Sequence, residues 1–139
     1  MFRQFALIVL GLVWCVPAGF ADTPSPPNAM VYIISPKSGD AVSSPVKVQF
    51  GLRGMGIAPA GIEAEMTGHH HLVVDHETPP LDDYLPTGNP QVTHFGKGQT
   101  EIELVLEPGE HTLQLIFGDK DHKPHVPAVV SDIVKFTVK

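Results

Sequence analysis

Glycine and proline interrupt this chain every ten or so residues, and between the interruptions apolar side chains recur with period two. The two residue types make up 27 of 139 positions, against a usual share of about 12%. No window after the first 21 residues sustains an apolar 3.6 period. Short alternating runs separated by turn residues build strands, so the chain is expected to be all-β. Val46-Lys47-Val48-Gln49-Phe50-Gly51-Leu52 alternates cleanly, the mark of a half-buried strand.

The remaining runs follow the same logic. Strands are expected at Met30–Ile34, His69–Asp75, Glu101–Leu106, His111–Phe117 and Val129–Val138, with a short edge piece at Ala41–Ser43. Ser38-Gly39-Asp40 and Glu107-Pro108-Gly109-Glu110 supply turns. Six or seven strands, no helix and no internal repeat point to an immunoglobulin-like antiparallel Greek-key β-sandwich. Two connections, 54–68 and 76–98, are long for a compact domain, and such loops are usually functional or mobile.

The first 21 residues stand apart. Met1–Gln4 carries one positive charge, Phe5–Pro17 is apolar, and Ala18-Gly19-Phe20-Ala21 places small residues before a cut. That is the pattern of a secretory signal peptide, with cleavage after Ala21. Its apolar run of about 13 residues is too short to span a bilayer. Cys15 follows Trp14, where a lipid-attachment signal needs a small side chain. The expected organisation is a signal peptide over 1–21, a Pro-rich leader over 22–29 and one sandwich domain over 30–139, in a periplasmic or secreted protein.

Cleavage would leave 118 residues without cysteine, carrying eight Lys and Arg against fifteen Asp and Glu, a net charge of −7 with histidine neutral. Disulfides cannot hold such a domain, so an apolar core must. Acidic balance without a basic patch excludes the usual nucleic-acid binders. No membrane span is expected.

Histidine supplies the candidate chemistry. Seven of the eight histidines lie in or beside four short loop-like segments: the triplet His69-His70-His71, then His76, then His94, then the pair His122 and His125 in Gly118-Asp119-Lys120-Asp121-His122-Lys123-Pro124-His125. Imidazole is the commonest protein ligand for zinc, copper and nickel. Loops of an antiparallel sandwich alternate between its two ends. His69, His70, His71, His94, His122 and His125 are thus expected at one pole, with His76 and His111 at the other. Side chains alternate along a strand, so His69 and His71 share one face with Val73, while His70 joins Leu72 and Val74 on the other. Two imidazoles about 6.5–7 Å apart at Cα can meet one ion.

The expected ligands are therefore His69, His71, His94, His122 and His125. His70, Asp119, Asp121 and Met55 are weaker candidates. The aspartates would supply oxygen ligands or fix imidazole tautomers, and a Met55 thioether would suit Cu(I). Met55 also reads as an apolar plug for its loop. His111, after Pro-Gly-Glu at a strand start, reads as structural, its ring bonding back to the corner as tyrosine does in related sandwiches. His76 reads as solvated. Asp119-x-Asp121 lacks the downstream bidentate Glu of a calcium loop. No Ser-nucleophile elbow, HExxH or phosphate loop is present.

Four motifs together resemble a known family. Gly68-His69-His70-His71-Leu72-Val73-Val74-Asp75, His94-Phe95-Gly96-Lys97-Gly98-Gln99-Thr100-Glu101, Leu106 through Leu115, and Gly118-Asp119 with His122-Lys123-Pro124-His125 and Val130-Ser131 resemble the bacterial family catalogued as domain of unknown function 4399. The loop Gly54–Gly61 fits as well, and the resemblance runs from Ser35 to Lys139. It implies an exported β-sandwich and carries no assigned activity.

The residues themselves point to a periplasmic metal-binding protein, for copper or else zinc, serving storage, delivery or tolerance. Copper comes first because Cu(II) heads the divalent affinity series and imidazoles suit both ions. Binding is expected to weaken as pH falls through about 6.5, where free imidazole takes a proton. Two other readings stay open. One is a cell-envelope binding or assembly module with no essential metal, partner unknown. The other is a metal-dependent enzyme using a histidine-bound water.

Overall fold

The structure is a computed structural model that describes residues 22–139; the expected signal peptide over 1–21 and its expected cut lie outside the described residues. Ten strands run in chain order: β1 (Met30–Ser35), β2 (Ala41–Val42), β3 (Val46–Arg53), β4 (Gly56–Ile57), β5 (Thr67–Val74), β6 (Val92–His94), β7 (Glu101–Leu104), β8 (Gly109–Gly118), β9 (Pro124–Val130) and β10 (Val134–Val138). Among the described residues there is no helix.

Two sheets face each other. One has the order β1-β3-β7, the other β2-β10-β8-β5-β4, with β6 added on β5 and β9 on β8. The chain crosses between sheets after β1, β2, β3, β6 and β7, in the manner of an immunoglobulin-like sandwich. Pairing between the ten strands is antiparallel apart from two short parallel contacts, β2 with β10 and β4 with β5.

The alternation read from the sequence sets the core. Val46, Val48 and Phe50 of β3 point inward, as do Leu113, Leu115 and Phe117 of β8 and Phe136 and Val138 of β10. Full burial of each large side chain contributes roughly 1.5–3 kcal/mol, which lets a cysteine-free domain of this size hold together.

The structure refines three boundaries. The expected strand Val129–Val138 divides at Ser131, whose N–H donates to Leu115 O (2.9 Å) and whose Oγ accepts from Leu115 N (2.9 Å). This side chain takes a place in the ladder, and one edge of β8 is shared by β10 at Gly109–Leu113 and by β9 at Ile116–Gly118. β7 stops at Leu104 because the sheet ends there: Val105 is 84% exposed, and Leu106 N bonds Ser44 Oγ instead of a strand (3.1 Å). His94, expected in a loop, ends β6 and pairs across from His71.

The second sheet is covered on its outer face as well. The 76–98 connection folds over β5 and β8, and Val73, Ile116, Leu85 and Val92 form a smaller apolar cluster there, flanked by Leu81 and Val130. For this reason β5 is buried along both faces from Gly68 to Val73.

Candidate metal centre

Strand β5 sorts the histidine triplet by parity. His70 points into the main core, its ring centroid 5.1 Å from that of Phe50 and 5.2 Å from that of Phe117. His69 and His71 point to the outer face, under the 76–98 connection, with ring centroids 4.7 Å apart. All three rings are fully buried.

His122 comes to the same face from the connection between β8 and β9. The turn that carries it is tied internally: His122 N donates to Asp119 O (3.0 Å), Asp119 N donates to Lys123 O (2.8 Å), and Asp119 Oδ1 accepts from the N–H groups of Asp121 and Lys123 (both 2.9 Å). His122 itself has φ of +69°, a left-handed conformation uncommon outside glycine and recurrent at functional sites. Leu85 N donates to His122 O (2.8 Å) and fixes the turn against the covering loop. The His122 ring stands 4.9 Å from His69 and 5.7 Å from His71 by centroid.

One nitrogen from each of His69, His71 and His122 lies within 4.8 Å of the other two. His94 closes the group on the solvent side. Its exposed ring is 5.1 Å from that of His122 and 6.2 Å from those of His69 and His71.

Among the described residues, neither nitrogen of His69 or of His71 has a hydrogen-bond partner. Leaving a buried polar group unpaired costs about 1–3 kcal/mol, so native proteins rarely do it without a ligand or a function at the spot. Burial pushes the pKa of His69 down to about 4, helped by His122 and His94 and opposed by Asp119. Burial likewise lowers His71 to about 3, with His69, His122 and His94 adding to the shift. Both rings are thus neutral at ordinary pH, with lone pairs ready for a cation. For these two the acid threshold lies below the 6.5 of free imidazole.

Glycine makes the room. A Cβ on Gly118 would sit 2.7 Å from His71 Cε1 and 3.2 Å from Leu85 Cδ1. One on Gly96 would sit 2.9 Å from His94 Nε2. Both approaches are closer than real Cβ atoms make, so these two positions are shaped by the imidazoles beside them.

The other candidate residues fall outside this group. His125 is buried on the core side, its ring stacked on Phe117 (5.7 Å, 16°), with Nδ1 3.3 Å from Phe117 O and Nε2 3.2 Å from Thr67 O. His122 lies in the β8–β9 connection and His125 is the second residue of β9; the left-handed turn at His122 and the pairing of Pro124 with Gly118 send them to opposite faces. His70 is separated by the strand itself. Its nitrogens also lack partners, and burial lowers its pKa to about 4, the nearby Gln99 backbone opposing.

Asp119 is engaged in holding its turn and acts on His69 through charge alone. Asp121 is exposed and pairs with Lys120 Nζ (2.8 Å). Met55 packs against the main core. At the opposite pole, His111 Nδ1 lies 2.7 Å from Asp75 Oδ2 and Nε2 lies 2.8 Å from Glu107 O, the bond back to the corner. Both partners are acceptors, and the Asp75 carboxylate and the Glu107 carbonyl raise the pKa of the ring. His76 is exposed.

Sequence reasoning passed over Leu85 and Gly118, which shape the pocket around His71 and His122. The available signals were the apolar pair Leu81 and Leu85 in an otherwise polar loop, and a glycine directly before the histidine-bearing turn.

Among the described residues no helix is long and apolar enough to cross a membrane. No curated protein matches the chain. The solved fibronectin(III)-like modules of Clostridium thermocellum CbhA are similar to it at 20% identity and a TM-score of 0.45, over 79% of this chain and 96% of that one. The family model described as "Domain of unknown function (DUF4399)" matches residues 48–139. That span takes in most of β3, all of β4 through β10 and every histidine of the cluster, and the chain belongs to this family.

Proposed function

We propose that the protein binds a divalent transition metal, copper first and zinc second, through His69, His71 and His122, in a periplasmic or secreted setting where it stores, delivers or buffers the ion. One observation carries this reading: three imidazole nitrogens within 4.8 Å of one another, two of them on fully buried rings without any hydrogen-bond partner. The donor set is all nitrogen, with no thiolate or carboxylate, which suits Cu(II) and Zn(II). His94 stands at the solvent side as a fourth imidazole that an ion can take up or leave.

A metal-dependent enzyme is the second reading, favoured by the same count of three. Three protein ligands with one position open distinguish catalytic zinc sites from closed structural ones.

The test is metal analysis of untagged protein purified from its source compartment without chelator, followed by Cu(II) and Zn(II) titration of the wild type and a His69→Ala/His71→Ala variant. Near-stoichiometric metal and tight uptake, lost by at least about 100-fold in the folded variant, supports the site. Absence of metal together with no uptake at micromolar concentrations sinks it. Exchangeable inhibitor binding to the loaded protein would favour the enzyme over the store.

A further inference from the structure

We propose that residues 22–26, expected from composition to be a loose Pro-rich leader, are a strap that holds the His122 turn over the outer face of β5, with Thr23 as the positioning residue. The proposal rests on the metal reading above for its consequence and on hydrogen bonding for its mechanism.

The leader lies along β9. Ser25 N donates to Val126 O (3.1 Å) and Val126 N donates to Thr23 O (2.9 Å), forming a parallel bridge at Pro24 and Val126. Ser25 Oγ donates to Pro127 O (2.6 Å), and Lys123 Nζ pairs with Asp22 Oδ1 (2.5 Å). Proline suits this edge position, where a missing N–H breaks no ladder.

Thr23 is where the strap meets the site. Its Oγ1 donates to Asp119 Oδ2 at 2.6 Å. Asp119 is only 6% exposed, and a buried carboxylate needs donors on both oxygens. Oδ1 already accepts from Asp121 N and Lys123 N, and Thr23 supplies Oδ2. The two amides that bracket His122 are therefore held by a carboxylate that Thr23 keeps in place. Leu85 grips the turn from the covering loop, and Thr23 grips it from the leader. The family model begins at residue 48, so the strap lies outside the segment that defines the family.

Residues 22–139 carrying Thr23→Val or Thr23→Ser provide the test. In metal-free protein, Thr23→Val should speed amide exchange at Asp121 and Lys123 by about tenfold, leave Leu72 and Leu115 unchanged, and be rescued by Thr23→Ser. Loaded with Cu(II), Thr23→Val should bind about tenfold more weakly and show fewer coordinated nitrogens by electron paramagnetic resonance. Unchanged exchange, or exchange raised equally throughout, overturns the strap. Loosened exchange with unaltered Cu(II) affinity and spectrum overturns the positioning role. If wild-type protein takes up no Cu(II) while the exchange pattern holds, the strap stands and the metal reading falls.

Discussion

Strand β8 connects two histidine environments of opposite character. At its start, the His111 ring faces two acceptors, Asp75 Oδ2 at 2.7 Å and Glu107 O at 2.8 Å. Near its end, the ring nitrogens of His69 and His71 have no hydrogen-bond partner among the described residues. The first arrangement is saturated by the protein and favours the protonated ring. The second leaves lone pairs unspent among apolar neighbours and other imidazoles, and holds neutral rings. Histidine count and spacing do not separate a structural clasp from a ligand set; the partners of the ring nitrogens do.

The pH dependence of metal-free stability exposes this contrast most strongly. Burial lowers His69, His70 and His71 to about 4, 4 and 3. Below about 6.5 the unfolded chain takes up protons that the folded rings refuse, so stability falls as pH drops from 6.5 toward about 4, each ring adding at most about 1.4 kcal/mol per pH unit. Melting temperatures in chelator should fall steeply across that window, and His70→Leu should shallow the fall without touching metal uptake. A flat profile would mean that the rings are not held neutral.

Single replacements sharpen the comparison next. His71→Ala should weaken Cu(II) or Zn(II) binding by about 100-fold, whereas His125→Ala should cost about 2 kcal/mol of stability and leave affinity within about twofold. Equal loss of affinity in both would place His125 among the ligands after all. Calorimetric titration of each variant, with its unfolding curve, decides the matter.

The clasp has the opposite sign and a smaller effect. The raised pKa of His111 gives stability that is complete below about 6.5 and is lost as pH rises through the folded value. His111→Ala should cost about 1–2 kcal/mol near pH 6, remove the alkaline decline and leave metal affinity intact. A variant that keeps the alkaline decline would assign it to another group. The smallest effect belongs to His94. Being exposed and farthest from the buried pair, it should lose less than about tenfold in affinity when changed to Ala, read by competition with a chromophoric chelator; a larger loss would make it a full ligand.

How much of the site was readable is clear from individual residues. Period-two alternation was enough to put His69 and His71 on one face and His70 on the other, because a strand allows no third option. Reversal of successive strands was enough to bring the His122 connection to the triplet's end and to leave His111 at the far one. The choice between His122 and His125 was not readable. They are three residues apart, one in the turn and one just inside β9, and the left-handed step at His122 and the β8–β9 register send one ring to the outer face and the other onto Phe117. Nor did the sequence reveal β6, whose three residues are too few for periodicity to register.

By itself, then, the chain's punctuation and alternation determined an all-β sandwich, a cysteine-free core and a pole rich in imidazole, since these depend on local geometry and composition. Only the tertiary structure decided which imidazoles share a pocket, that the 76–98 connection buries them, and that the leader braces the turn between them. Those outcomes depend on contacts between residues as far apart as Thr23 and Asp119. No local pattern encodes such contacts, because they form only when the sheets have closed.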